Sequence, residues 1–88
     1  MKTGVPRSQH WFSPPVAVRS ESKAGLTLNV SNVSRAAETL LTWQKRGPKW
    51  RKAVQTCVDA MEGKKTPDHA RKAFEAAAKE SGMLRLGL

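Results

Sequence analysis

The chain is predicted to fold as α+β: an N-terminal antiparallel β-hairpin packed against three α-helices, in the order ββααα. Three observations lead there. Leu26, Leu28 and Val30 alternate with Thr27 and Asn29, the period of a half-buried strand. Trp50, Ala53, Val54, Cys57, Val58 and Met61 recur at the spacing of one buried helical stripe. Thr66, Pro67 and Asp68 then give a helix start, with Thr as N-cap, Pro in the first helical position and an acid in the first turn.

Residues 1–13 are expected to be a poorly ordered leader, and 14–86 a single small α+β domain. The leader lacks periodicity, but Trp11 and Phe12 are costly to leave in water, so at least one of them should anchor it to the domain. After Pro14 and Pro15, Val16-Ala17-Val18-Arg19 is a short strand with its valines on one face. Ser20 to Gly25 is polar, ends in glycine and reads as the turn into the alternating strand. A lone hairpin is marginal in water, so the helices must cover its apolar face.

Ser31 or Asn32 caps the first helix, whose expected stripe is Val33, Ala36, Ala37, Leu40 and Leu41, closed by Trp43. Gln44 to Lys49 connects to the second helix, which starts with Gly47 as N-cap and Pro48 and stops at Gly63. The third runs to about Ser81 with a shallow face of Ala70, Ala73, Phe74, Ala77 and Ala78, which lets two helix axes approach closely. Glu75 and Lys79 are spaced as an i, i+4 ion pair, and Gly82 ends the helix. Residues 83–86 are apolar and suit either a short third strand or a segment trailing over the core. The second and third helices, joined by few residues, should lie antiparallel.

Together these residues carry a family likeness. FSPPVAV is followed by the alternating strand, Ala36-Ala37-Glu38, Leu40-Leu41 and Trp43. Then come RGPKW, the run Cys57 to Gly63, and Ala70 to Ala77. The pattern resembles the bacterial domain-of-unknown-function family numbered 982, over Phe12 to Leu84, with RGPKW and the helix after it as its most specific part. The resemblance implies a compact single-domain bacterial protein; it implies no activity, catalytic motif or cofactor.

Composition narrows the function classes. An 88-residue chain carries one domain with a core near the lower limit of self-sufficiency. No apolar run approaches a membrane span, and the N-terminal stretch lacks the apolar region of a secretory signal, so a cytoplasmic location is expected. His10 and His69 are far apart, neither has a second ligand one helical turn away, and one cysteine makes a zinc site improbable. Cys57 lies on an apolar stripe and reads as a small core residue; as a nucleophile it would need a partly exposed, electropositive setting. Asp59 and Glu62 share a solvated helix face with no other polar group converging on them. No phosphate loop or hydrolase motif is present. The chain is therefore expected not to be an enzyme, and no metal or cofactor is expected.

What stands out is charge. The net charge is +9, with 16 basic and 7 acidic residues. Lys45, Arg46, Lys49, Arg51 and Lys52 supply over half of it, and Lys64, Lys65, Arg71 and Lys72 form a second basic patch beyond the other end of the second helix. The first cluster crowds a helix N-terminus, where each cation is disfavoured by about 0.3–1 kcal/mol relative to an anion. Free N–H groups ringed by cations would make an anion site, with Trp50 either core or a stacking face. Two functions follow. One is non-specific binding of nucleic acid or another polyanion through residues 45–52; few Asn, Gln or Arg residues stand opposite a buried helix face to read bases, so contact would be with the backbone. The other is a protein-interaction module, monomer or weak homodimer, that docks an acidic partner or self-associates through a sheet edge.

Overall fold

The computed structural model describes residues 11–20 and 25–85. Its elements follow the expected order: β1 (Trp11–Arg19), β2 (Thr27–Asn32), α1 (Val33–Leu41), α2 (Pro48–Met61) and α3 (Pro67–Ser81). The fold is α+β, three helices with an antiparallel sheet.

The strands pair from Arg19 opposite Thr27 to Val16 opposite Val30, and the register then slips before Trp11 meets Asn32. Pro14 and Pro15 lie in the slipped segment, and neither has an N–H to give to a ladder. β1 begins at Trp11 rather than after the prolines. Phe12 is buried while Trp11 is half exposed, so Phe12 is the residue that anchors this end. Residues 1–10 of the expected leader, residues 21–24 of the turn and Leu86 lie outside the described residues. The turn's last residue, Gly25, has φ 83°, a conformation open to glycine.

The sheet is more than a simple hairpin. Leu84 makes an antiparallel bridge to Val18 on the other side of β1. The Arg19 N–H donates to the Met83 carbonyl at 2.7 Å, and the Arg85 N–H to that of Ala17 at 2.9 Å. β1 is therefore flanked on both sides, and β2 is the outer strand.

Val16, Val18 and Val30 turn their side chains onto the helices, as the alternation requires, but the burial fades along β2: Leu28 is partly covered and Leu26 is exposed. In the centre Phe74 stacks on Trp43 at 5.6 Å and meets Phe12 at 6.3 Å. Alanines at 36, 53, 60, 70, 77 and 78 fill the space between helices.

Two expected stripes are rotated. In α1 the buried residues are Val33, Ala36, Thr39 and Leu40, and Leu41 is 59% exposed. In α2 they are Ala53, Thr56, Cys57 and Ala60, whereas Val58 and Met61 are exposed at 38% and 40%. α2 packs on both α1 and α3, so its buried face is centred between them rather than on its bulkiest residues. The two threonines enter the interior because each hydroxyl donates to the carbonyl four residues back, Thr39 to Arg35 and Thr56 to Lys52, both at 2.7 Å.

Candidate functional site

The segment joining α1 to α2 shows why cations gather at a helix start. Asn32, rather than Ser31, caps α1, accepting from the Arg35 N–H at 2.8 Å. At the other end of α1 the carbonyls are left without helical partners. Arg46 Nε donates to the Trp43 carbonyl and its Nη2 to that of Leu41, both at 2.9 Å, and Trp50 Nε1 donates to that of Leu40 at 2.7 Å. The Arg46 guanidinium also lies over the Trp50 ring, 4.6 Å from its centre, a cation–π arrangement. Arg46 and Trp50 thus close the negative end of α1, which the macrodipole favours.

The start of α2 is closed from elsewhere. Gly47 occupies the N-cap with no side chain to offer, and the Lys49 N–H donates to Glu80 Oε1 of α3 at 3.2 Å. The free N–H groups expected to receive an external anion are therefore served, in part, by the protein's own carboxylate. Gly47 makes room for it: a Cβ there would stand 2.9 Å from Glu80 Oε1. The same contact fixes α2 and α3 as antiparallel, since it joins the start of one to the end of the other.

These contacts split the first cluster. Arg46 and Arg51 flank Gly47 and Pro48 on one side, Lys45 lies beside Trp43 and Ser81, and Lys49 and Lys52 face α3. The second patch divides too. Lys64 pairs with Glu62 at 3.2 Å, and Arg71 is held by Asp68 at 3.2 Å and Glu75 at 3.7 Å. Glu75 thus pairs with Arg71, one turn before it, rather than with Lys79. Lys72 reaches Asp68 at 3.4 Å but is mostly exposed, and Lys65 has no ion pair among the described residues.

Two residues of each set meet in one place. Lys49 and Lys52 from α2, Lys65 from the linker and Lys72 from α3 line a groove of about 300 Å³ between the two helices. Ala73 and Ala76 form its apolar floor, Thr56 and His69 complete the wall, and none of the described residues lining it is acidic. The alanine face of α3 keeps the groove shallow.

His69 has a defined role at its rim. The Thr66 backbone N–H, which can only donate, points to His69 Nδ1 at 3.3 Å, while the His69 N–H donates to Thr66 Oγ1 at 3.2 Å. This reciprocal capping box makes Nδ1 an acceptor and puts the ring hydrogen on Nε2. The sequence marked Thr66 as a cap but not His69, because the usual partner at that position is Glu or Gln.

The remaining ionisable groups serve the scaffold. Burial pushes the Cys57 thiol up to about 11, which keeps it protonated and a poor nucleophile near neutrality. The hydrogen bond from Arg71, followed by the Lys72 charge, holds Asp68 below the usual carboxylate range. Among the described residues no group of three His, Cys, Asp or Glu side chains is placed to hold a metal ion. Nor is any described helix long and apolar enough to cross a membrane.

No curated protein and no solved structure matches the chain. The family described as "Protein of unknown function (DUF982)" matches residues 14–85, from the proline pair of β1 to the segment that bridges back to it. With most of its length in that match, the chain belongs to this family.

Proposed function

We propose that this domain is a small non-enzymatic binding module that takes a polyanion, nucleic acid or another, in the groove between α2 and α3. The observation that carries the reading is the convergence of Lys49, Lys52, Lys65 and Lys72 on one concave surface, drawn from two clusters separated in sequence. Four ammonium groups on flexible stems attract phosphates without imposing a geometry on them. Most of the residues first marked at 45–52 act around the groove rather than in it: Arg46 closes α1, and Lys45 and Arg51 add to the field that steers anions inward. In this reading the module works in the bacterial cytoplasm.

The test is a titration of labelled DNA and RNA at low and moderate salt. If four phosphates are neutralised, log K falls against log salt with a slope of about −3 for single strands. Lys49→Gln/Lys52→Gln/Lys65→Gln/Lys72→Gln should abolish binding, while Lys45→Gln/Arg51→Gln should weaken it only slightly. Equal binding by the fourfold variant, or no salt-sensitive binding at all, sinks the proposal.

A second reading, docking of a protein partner, draws on the outer edge of β2 and on exposed Leu41, Val58 and Met61. Sedimentation of the purified chain across a concentration series tests its self-associating form.

A further inference from the structure

The groove does not end at Lys72. A second depression, lined by Lys72, Glu75, Ala76, Lys79, Gly82 and Leu84, adjoins it, and the two share Lys72 and Ala76. Lys72 and Lys79 are two turns apart on α3, about 10.5 Å along the axis. Lys65 stands the same seven positions before Lys72 in the chain, just ahead of the N-cap. Glu75, the acid in the lining of the second depression, lies 3.7 Å from Arg71, which offsets part of its charge.

We infer that the ligand is a flexible linear phosphate chain laid along α3 across both depressions. This rests on the polyanion reading of the α2–α3 groove and names the kind of polyanion. A compact anion could engage one depression but not both lysine sets. A duplex is a stiff rod with its phosphates on a wide cylinder, whereas the cleft lies between helices packed about 8–10 Å apart. Among the described residues no Trp, Tyr or Phe lines either depression, and the imidazole of His69 is held in the capping box of α3, so bases find no broad stacking face. Among the described residues no Asn, Gln or Arg lines them either, which leaves no bidentate reading of base edges there. Recognition falls on the phosphates alone, a chemistry shared by single-stranded nucleic acid and inorganic polyphosphate.

The experiment follows fluorescence anisotropy of labelled oligothymidylate on the full chain. Long-chain polyphosphate, tripolyphosphate and a DNA duplex serve as competitors, and Lys79→Gln is compared with wild type. Circular dichroism checks that the variant, altered at an exposed helical position, is folded. Lys79→Gln should weaken oligothymidylate and long polyphosphate about fivefold and reduce the salt slope by about 0.7, one phosphate contact fewer. Tripolyphosphate should bind both proteins alike, and the duplex should compete worst. The two long chains should compete equally per phosphate; if polyphosphate is the tighter, the inorganic chain is the source the site prefers. An unchanged long-chain affinity in Lys79→Gln overturns the inference, as does a duplex that competes better than the single strand. So does an oligothymidylate that polyphosphate cannot displace, because sugar or base would then be read. All three outcomes leave binding through Lys49 and Lys52 intact. Loss of that binding would instead remove the underlying groove reading.

Discussion

The N-termini of α2 and α3 solve the same problem by opposite means. α3 is capped by its own neighbours: Thr66 and His69 exchange hydrogen bonds, Pro67 removes one N–H that would need a partner, and Asp68 supplies negative charge in the first turn. α2 has Pro48 but otherwise only Gly47, no acid, and two cations in its first turn with Lys52 directly after it. Its cap is Glu80, 31 residues away in sequence. Glu80 in turn sits in the last turn of α3, where a negative charge is unfavourable to its own helix. Arg46 likewise precedes α2 but serves the C-terminus of α1. A charge that looks misplaced on its own helix can be well placed for the nearest helix end in space. The excess of cations at the start of α2 is thus partly a structural matter; Arg46 is explained in that way, and Lys49, Arg51 and Lys52 are what the explanation leaves over.

The largest expected effect comes from the remote side of the comparison. Arg46→Ala removes two charge-assisted bonds, to the Leu41 carbonyl that ends α1 and to the Trp43 carbonyl just beyond it, and the cover over Trp50. It should cost about 1.5 kcal/mol, discounted for the exposure of the guanidinium. Urea unfolding measures it, and a change within error of zero would mean that Arg46 is merely adjacent to those carbonyls.

Next come the two caps themselves. Thr66→Ala should cost about 1 kcal/mol, the usual loss for a side-chain N-cap. Glu80→Ala should cost about half of that, because the lost cap on α2 is offset by relief at the end of α3. Gly47→Ala displaces the Glu80 carboxylate, so the double variant Gly47→Ala/Glu80→Ala should be no less stable than the worse single one. Additive losses in that cycle would show that glycine and carboxylate act independently.

The smallest effect concerns pH. The folded Asp68 carboxylate titrates below its unfolded value, so its contribution is present above the unfolded value and fades as pH falls through the lowered one. Asp68→Asn should therefore narrow the stability difference between neutral and strongly acidic solution. Thermal melts across the acid range give the reading; parallel profiles for the two proteins would rule out the contribution.

Much of this fold was legible because its signals are local. The alternation of β2, the Gly47-Pro48 and Thr66-Pro67 starts and the alanine face of α3 each act within a few residues. The faces were less legible. Leu41, Val58 and Met61 have the spacing of a buried stripe, yet they stand outside it because a helix lodged between two others turns its small residues inward. Thr39 and Thr56 are absent from the expected stripes because nothing in the letters shows a hydroxyl folding back on its own helix. For the candidate site, the sequence marked the four lysines that line the α2–α3 groove but grouped them by proximity along the chain. Lys49 and Lys52 were joined to Arg46, and Lys65 and Lys72 to Arg71, although Arg46 and Arg71 are committed to internal partners.

The sequence alone determined the three helices with their starts, the pairing strands around Val18 and Val30, and that the chain carries a large positive charge. Backbone preference, capping and periodic burial are settled within a turn or two of chain. Only the tertiary structure decided which charges meet, which helix end each serves and where the concave surface lies. Those outcomes depend on distances between residues far apart in the chain, and such distances exist only after α2 and α3 have packed antiparallel.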